Sequence, residues 1–242
     1  MTTIIENNKV AEFVANIANE NLPCWEKFSD SRKTAKEILK TLEFPTTKNE
    51  YWKYTRVSKI ANNTYHFNKL SDLKIELDEV RIPNLDTYEI VFINGFISME
   101  NSNFPNPENL EIIPLRDSKT DEYDTCFSKK LDSITNIFSA LNTAYFTDGV
   151  LIKAKGESNK PIHIINYSTG ENVISQPRNM FVATESSELT IIKSSINKNT
   201  SSFLQNSVNE FYLEKNSKLD FYVIQNYNPA NPLDFLVDHC RK

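Results

Sequence analysis

Ala183-Thr184-Glu185-Ser186-Ser187-Glu188-Leu189-Thr190-Ile191, set beside Phe211-Tyr212-Leu213-Glu214-Lys215-Asn216-Ser217-Lys218-Leu219-Asp220-Phe221, is the part of this 242-residue chain that decides its fold. Each copy has an acidic residue, a polar or small residue and a serine ahead of an apolar, β-rich run. Similar short runs precede them: Gly149-Val150-Leu151-Ile152, Ile162-His163-Ile164-Ile165 and Met180-Phe181-Val182-Ala183. Turn clusters such as Gly156-Glu157-Ser158-Asn159 separate the runs. The spacing is a weak internal repeat of roughly 20–30 residues, the range of solenoids and β-helices, in which stacked units bury a continuous core. A β-sandwich has similar strand spacing, and periodicity alone leaves both open.

Upstream the period changes from two to about 3.6. Val10, Phe13, Val14 and Ile17 form one face of a helix over about residues 6–21, and Pro23 stops it. A second helix starts near Ser29 or Asp30, either of which could cap it, and buries Ala35, Ile38, Leu39 and Leu42. Pro45 ends it. Phe44 to Thr55 packs Tyr51, Trp52 and Tyr54 into four positions; without surrounding basic charge it reads as a packed connector rather than a stacking platform. Tyr88 to Ile93 is a strand, Asn94-Gly95 a hairpin turn and Phe96-Ile97-Ser98 the return. Asp132 to Phe146 is helical, with Ile134, Ile137, Phe138, Leu141 and Tyr145 on one face. The chain thus divides into a helical N-terminal domain with its aromatic connector (1–60), a mixed linking region with a short hairpin (61–130), a helix entry and first β coils (131–228), and an atypical tail (229–242).

Composition excludes several classes. Net charge is −5, and the basic pairs Arg32-Lys33, Lys129-Lys130 and Arg241-Lys242 are scattered, so the sequence has no phosphate-tracking surface for nucleic acid. No stretch approaches the ~18 apolar residues of a membrane span. The N-terminus lacks a basic segment followed by an apolar one, so no secretory signal is expected, and a cytoplasmic location is. Cys24, Cys126 and Cys240 are too few and too dispersed for a disulfide framework. On that reading the sequons at Asn62 and Asn199 are chance matches. Gly95, Gly149, Gly156 and Gly170 are isolated, so neither a dinucleotide-binding glycine motif nor a P-loop can be written.

Several segments together resemble the SufB/SufD family of iron–sulfur cluster assembly proteins. Phe44-Pro45-Thr46-Thr47-Lys48-Asn49-Glu50-Tyr51-Trp52-Lys53-Tyr54-Thr55 is similar to that family's segment after the N-terminal helices. Phe92-Ile93-Asn94-Gly95 resembles its turn, and Phe138-Ser139-Ala140-Leu141-Asn142-Thr143-Ala144-Tyr145-Phe146-Thr147-Asp148-Gly149-Val150 its entry to the β-helix. Lys160-Pro161-Ile162-His163-Ile164 and Gln176-Pro177-Arg178-Asn179 resemble the strand starts that follow. The likeness runs in order from about residue 10 to 225 and is closer to the SufD branch than to the SufB branch. It implies a mainly β fold, a right-handed parallel β-helix behind a small α-helical N-terminal domain. It also implies a non-catalytic scaffold beside a SufB-like protein and a SufC-like ABC ATPase, which would supply the missing P-loop. The iron–sulfur cluster would be handled by the complex, with no cofactor held by this chain. Family members continue through further coils into a helical domain that docks SufC. Here the sequence stops at Lys242, so a truncated form is expected, or a fragment without independent function.

Few residues invite chemistry. His239-Cys240 offers a metal-ligating pair, yet a closed site needs about four ligands, and neighbours on a strand face opposite ways. The pair reads as incidental. His163 falls on the opposite face from Ile162 and Ile164, as an exposed or rung-stacked histidine. Cys24 and Cys126 read as packing residues. Asp148 and Glu185 belong to turns. Paired carboxylates would suit the rival reading, a carbohydrate-active β-helix enzyme, but nothing in the sequence brings these two together, and no nucleophile elbow is present.

Overall fold

The computed structural model describes residues 9–18, 22, 23, 25–55, 57–69, 73–78, 80–105, 107–119, 127, 136–198, 202–227 and 232–241. Helix α1 (Lys9–Ala18) buries Val10, Phe13 and Ile17, the stripe its 3.6-residue period requires. Helix α2 (Ser29–Leu39) follows directly on a 3-10 turn, Glu26–Phe28. That continuity corrects the expected cap. Phe28, not Ser29 or Asp30, stands at the N-cap, without a side-chain cap bond. Its ring lies against Trp25, Phe127 and Phe146 at 5.9, 4.6 and 5.3 Å. Packing of an aromatic cluster there outweighs a capping hydrogen bond. Helices α3 (Ser58–Ala61) and α4 (Ile137–Tyr145) are the other α-helices among the described residues; Asn136 caps α4, its side chain accepting from the Phe138 N–H. No helix among the described residues is long and apolar enough to cross a membrane.

The rest is mainly β, in two mixed sheets. Strand β1 (Tyr88–Ile93) pairs antiparallel with β2 (Phe96–Ile97) across Asn94-Gly95, both at positive φ (51° and 83°), as a type I′ hairpin demands. Strand β3 (Leu110–Pro114) pairs antiparallel with β4 (Gly149–Ala154). Then come β5 (Ile162–Ser168), β6 (Val173–Ser175), β7 (Arg178–Ala183), β8 (Glu188–Asn197), β9 (Phe203–Leu213), β10 (Lys218–Tyr227) and β11 (Pro232–Arg241). The first sheet has the order β2-β1-β5-β8-β10; the second has β3-β4-β7-β9-β11, with β6 also beside β9. From β4 onward the chain alternates between the sheets, apart from β6 and β7, which follow one another in the second, and the strands within each sheet pair in parallel.

The register is regular. Gly149 pairs with Arg178, Ile162 with Ile191 and Phe203 with Pro232, each 29 residues on. Arg178 pairs with Val208 and Glu188 with Lys218, each 30 residues on. The two quoted sequence copies are related by that 30-residue step. Ser186 and Asn216 occupy equivalent turn positions at positive φ (59° and 58°), and Ser187 and Ser217 each donate a side-chain hydrogen bond to the carbonyl three residues back. The 229–242 stretch, expected to be an atypical tail, contains β11 in register with β9. Backbone pairing overrides an apolar run broken by Asp234 and Asp238.

Alternation assigns the faces. Between the sheets, Ile90, Ile162, Ile164 and Ile191 of the first meet Val150, Ile152, Phe181 and Phe211 of the second. Phe181, Phe211 and Phe221 stack at 5.0–5.9 Å. On the outer side of the second sheet lies α4, and the other helices share its core, Phe13, Leu39 and Ile60 clustering with Leu141 of α4. On the outer side of the first sheet, Ile75, Leu77 and Val80 cover Val91, Ile93 and Ile165.

Candidate functional site

Helix α4 is fixed to the second sheet by polar groups rather than by oil alone. Arg178, at the start of β7, donates from Nε and Nη2 to Glu210 Oε1 of β9 (3.0 and 2.7 Å). Its Nη1 donates to Asn142 Oδ1 (3.2 Å) and Thr143 Oγ1 (2.8 Å) of α4. Asn142 Nδ2 donates to the Pro177 and Asn206 carbonyls (3.0 and 2.8 Å). Asn206 Nδ2 returns to the Phe138 carbonyl and Gln176 Oε1 (2.9 and 2.8 Å). Every member of this hub is buried. The charges can reside there because the pair is closed by further hydrogen bonds.

A second knot sits one turn of chain away. Asp148 Oδ1 accepts from the Gly149 N–H (2.9 Å), and Oδ2 accepts from the Ile97 N–H (3.1 Å) and Arg116 Nη1 (3.3 Å). It thereby ties β2, β4 and the turn after β3. Burial pushes its carboxyl up to about 6, while the Gly149 N–H, the Arg116 charge and the Ile97 N–H pull against that rise. In the unfolded chain an aspartate titrates near 3.9. The folded value is the higher, so this group's stabilising contribution is complete below about pH 4 and lost as pH rises through about 6. A shift of about 2 units corresponds to about 3 kcal/mol. Urea unfolding between pH 4 and 7 should therefore show a component favouring the acid side that Asp148→Asn lacks. The same pH slope in both proteins would refute this.

The residues flagged in the sequence do not converge. Asp148 precedes β4, and Glu185 follows β7, which pairs with β4 in register over six residues. With Asp148 one residue before the paired stretch and Glu185 two after it, eight strand steps at roughly 3.3 Å each put the two about 26 Å apart along the strands, beyond the ~5–9.5 Å of a glycosidase pair. That finding removes this pair as carbohydrate-cleaving acids. His163 is buried, stacked in register between Glu89 and Ile192, with Nε2 hydrogen-bonded to Ser194 Oγ at 2.7 Å. Burial lowers its pKa and Glu89 opposes that. Glu89 itself is engaged by Arg81 in a two-pronged ion pair (2.8 and 2.9 Å). His239 and Cys240 occupy β11 positions opposite Glu210 and Phe211. Cys24 and Cys126 fall outside the described residues. Among the described residues, no group of three or more His, Cys, Asp or Glu side chains could hold a metal.

Two exposed apolar surfaces among the described residues bear on the question of partners. In the connector, Trp52 turns inward to Phe138 (5.4 Å) and Phe44 to Phe13 (5.5 Å), which bears out the packed reading for these two. Tyr51 and Tyr54 point outward, 98% and 90% exposed, beside a cleft of about 590 Å³ lined by Phe44, Pro45, Tyr51 and Ile137. At the far end, β10 is the last strand of its sheet, and Tyr222, Val223 and Ile224 on it are exposed.

Comparison with known proteins gives two matches that meet end to end. A family model described as the SufBD protein N-terminal region matches residues 12–164. A second, described as SUF system FeS cluster assembly, SufBD core domain, matches residues 165–232. A curated iron–sulfur cluster assembly SufBD family protein of Synechocystis sp. is 27% identical over 207 residues, covering 78% of this chain and 46% of that protein. The chain thus spans about half the length of that relative. The boundary between the two matched regions falls inside β5, and the hub bridges it: Asn142 and Thr143 lie on one side, Gln176, Arg178, Asn206 and Glu210 on the other.

Proposed function

Since the chain belongs to the SufBD family of iron–sulfur cluster assembly proteins, we propose that it works as a SufD-like, non-catalytic scaffold of a cytoplasmic Suf complex, holding a SufB-like protein and a SufC-like ATPase. The observation that carries this reading is the unbroken family match from residue 12 to residue 232, through the helices, the hub and both sheets. In this reading the alternating parallel strands are early coils of a right-handed parallel β-helix. The constant 29- or 30-residue step between paired strands supports it, because each coil then adds one strand to each sheet. The cluster is cargo of the complex rather than a group resident here, and His239 and Cys240 stay incidental.

The work of such a scaffold is rigidity plus presented surface. The hub and the Asp148 knot hold the helical part and the sheets in one register. The exposed connector tyrosines and the β10 edge are then displayed at opposite ends of the chain. Co-purification tests the proposal. The tagged full-length gene product, expressed with the SufB-like and SufC-like proteins of the same organism, is expected to retain the SufB-like subunit through affinity and size-exclusion steps. Recovery of neither partner would sink the scaffold reading.

A further inference from the structure

The space between the sheets has an apolar half and a polar half. On the inner face of the first sheet, Lys193 and Ser195 of β8 follow Ile191, and Asn166 of β5 pairs in register with Ser195. On the inner face of the second, Gln205, Ser207 and Asn209 of β9 run toward Phe211, and Asn179 of β7 pairs with Asn209. All seven side chains are buried. Gln205 Nε2 crosses between the sheets to donate to Ser195 Oγ (2.9 Å), and Asn179 Nδ2 donates to Asn209 Oδ1 (3.0 Å). Asn166 Nδ2 reaches the Ser194 carbonyl at 3.5 Å. Ser207 lies between Gln205 and Asn209 on the same face of β9, so the polar groups form one continuous band.

Four oxygens of that band, Asn166 Oδ1, Asn179 Oδ1, Gln205 Oε1 and Ser207 Oγ, have no hydrogen-bond partner among the described residues. A buried acceptor left dry loses its hydration without return, and four of them would consume much of the narrow margin by which a domain is stable. Turning a carboxamide over does not help. It exchanges an orphaned oxygen for an orphaned N–H. Lys193 brings one ammonium donor to this face, and four separate oxygens call for further donors from outside the protein. Carboxamide oxygens repel anions, which excludes phosphate or sulfate. The Lys193 ammonium group, one strand position pair from Ser195 on the same face, opposes a metal cation. A small neutral donor that also accepts fits both the carboxamides and the serine hydroxyl. We infer that the polar half of the intersheet core is a built hydration site, a cluster of ordered waters held between Asn166, Asn179, Gln205 and Ser207.

A high-resolution crystal structure of this chain grown in rubidium bromide tests the site. Ordered solvent within hydrogen-bond distance of at least three of the four acceptors, without anomalous signal, is the expected result. A rubidium peak there would make it a cation site, a bromide peak an anion site, and a dry interior with the side chains paired directly no site at all; each overturns the inference. In solution, water-¹⁷O relaxation dispersion should report long-lived internal water that is partly lost in Gln205→Leu. Should that variant not fold, Ser207→Ala, which removes no volume of consequence, is expected to lose the water on its hydroxyl. An unchanged signal in the folded variant would contradict the assignment.

Discussion

Glu210→Ala is expected to destabilise the chain by about 3–5 kcal/mol, the cost of breaking one side of a buried ion pair. Arg178 and Glu210 are both almost wholly buried, with Nη2 and Oε1 2.7 Å apart. Removing the carboxylate leaves a guanidinium in the interior without its counter-charge, beside the Asn142 and Thr143 oxygens and the Phe127 ring. Domain stabilities are only about 5–15 kcal/mol, so the loss should appear as a large fall in the urea midpoint. Removing both charges is a different experiment. Arg178→Met with Glu210→Ala deletes the orphaned charge as well, and should recover a large part of the loss. The two single changes are thus strongly non-additive. Additive effects would mean that the pair is not coupled in the folded chain.

The hub was not legible in the sequence, for a physical reason. Its members come from three separated segments, and no local pattern marks Arg178 as the partner of a residue 32 positions away. The signal that could have found them is a charged residue at the start of an otherwise apolar strand run, Arg178 ahead of Met180-Phe181, with Glu210 just before Phe211. Elements decided by local chemistry were readable. Asn94-Gly95 announces its hairpin because both residues tolerate positive φ, and the stripe Ile137, Phe138, Leu141, Tyr145 announces α4. The turn-plus-serine pattern at Glu185 and Glu214 announces the repeat because the same turn is needed wherever β8 and β10 begin. What was missed has polar interiors or interrupted runs. Only the last residues of β9 were read as strand, since Gln205, Asn206, Ser207 and Asn209 look like loop until both faces of the strand are seen to be covered. Strand β3 was missed just after a proline- and asparagine-rich stretch, and β11 behind its aspartates. Periodicity reports burial against oil. It is silent where a strand is buried against amides.

The motif Thr147-Asp148-Gly149 was quoted for its family likeness, but its glycine has a steric cause. A Cβ at Gly149 would stand 1.7 Å from the Arg178 carbonyl oxygen and 2.7 Å from Leu115 Cδ1. The first of these atoms is backbone in a parallel ladder and cannot rotate away. Gly149 is also fixed from its other sides: its carbonyl accepts from the Leu115 N–H at 2.8 Å, and its N–H donates to Asp148 Oδ1. Gly149→Ala is therefore expected to cost at least the ~3 kcal/mol upper end of ordinary overpacking, since relief requires parting β4 from β7. Parting them moves Arg178, whose N–H bonds the Asp148 carbonyl at 3.0 Å and whose side chain centres the hub. The substitution should thus weaken the Asp148 and Glu210 contributions together. Gly156→Ala provides the control. The nearest atom to its Cβ is Asn109 Cβ at 3.5 Å, ordinary contact, and its backbone is not in the left-handed region. There alanine only restricts the unfolded chain, and a gain of about 0.4–1 kcal/mol is expected. Parallel urea melts of the two variants decide the matter. If Gly149→Ala matched Gly156→Ala, the close approach of β4 to β7 would be wrong. The coupling it imposes between the Asp148 knot and the hub would then have no basis.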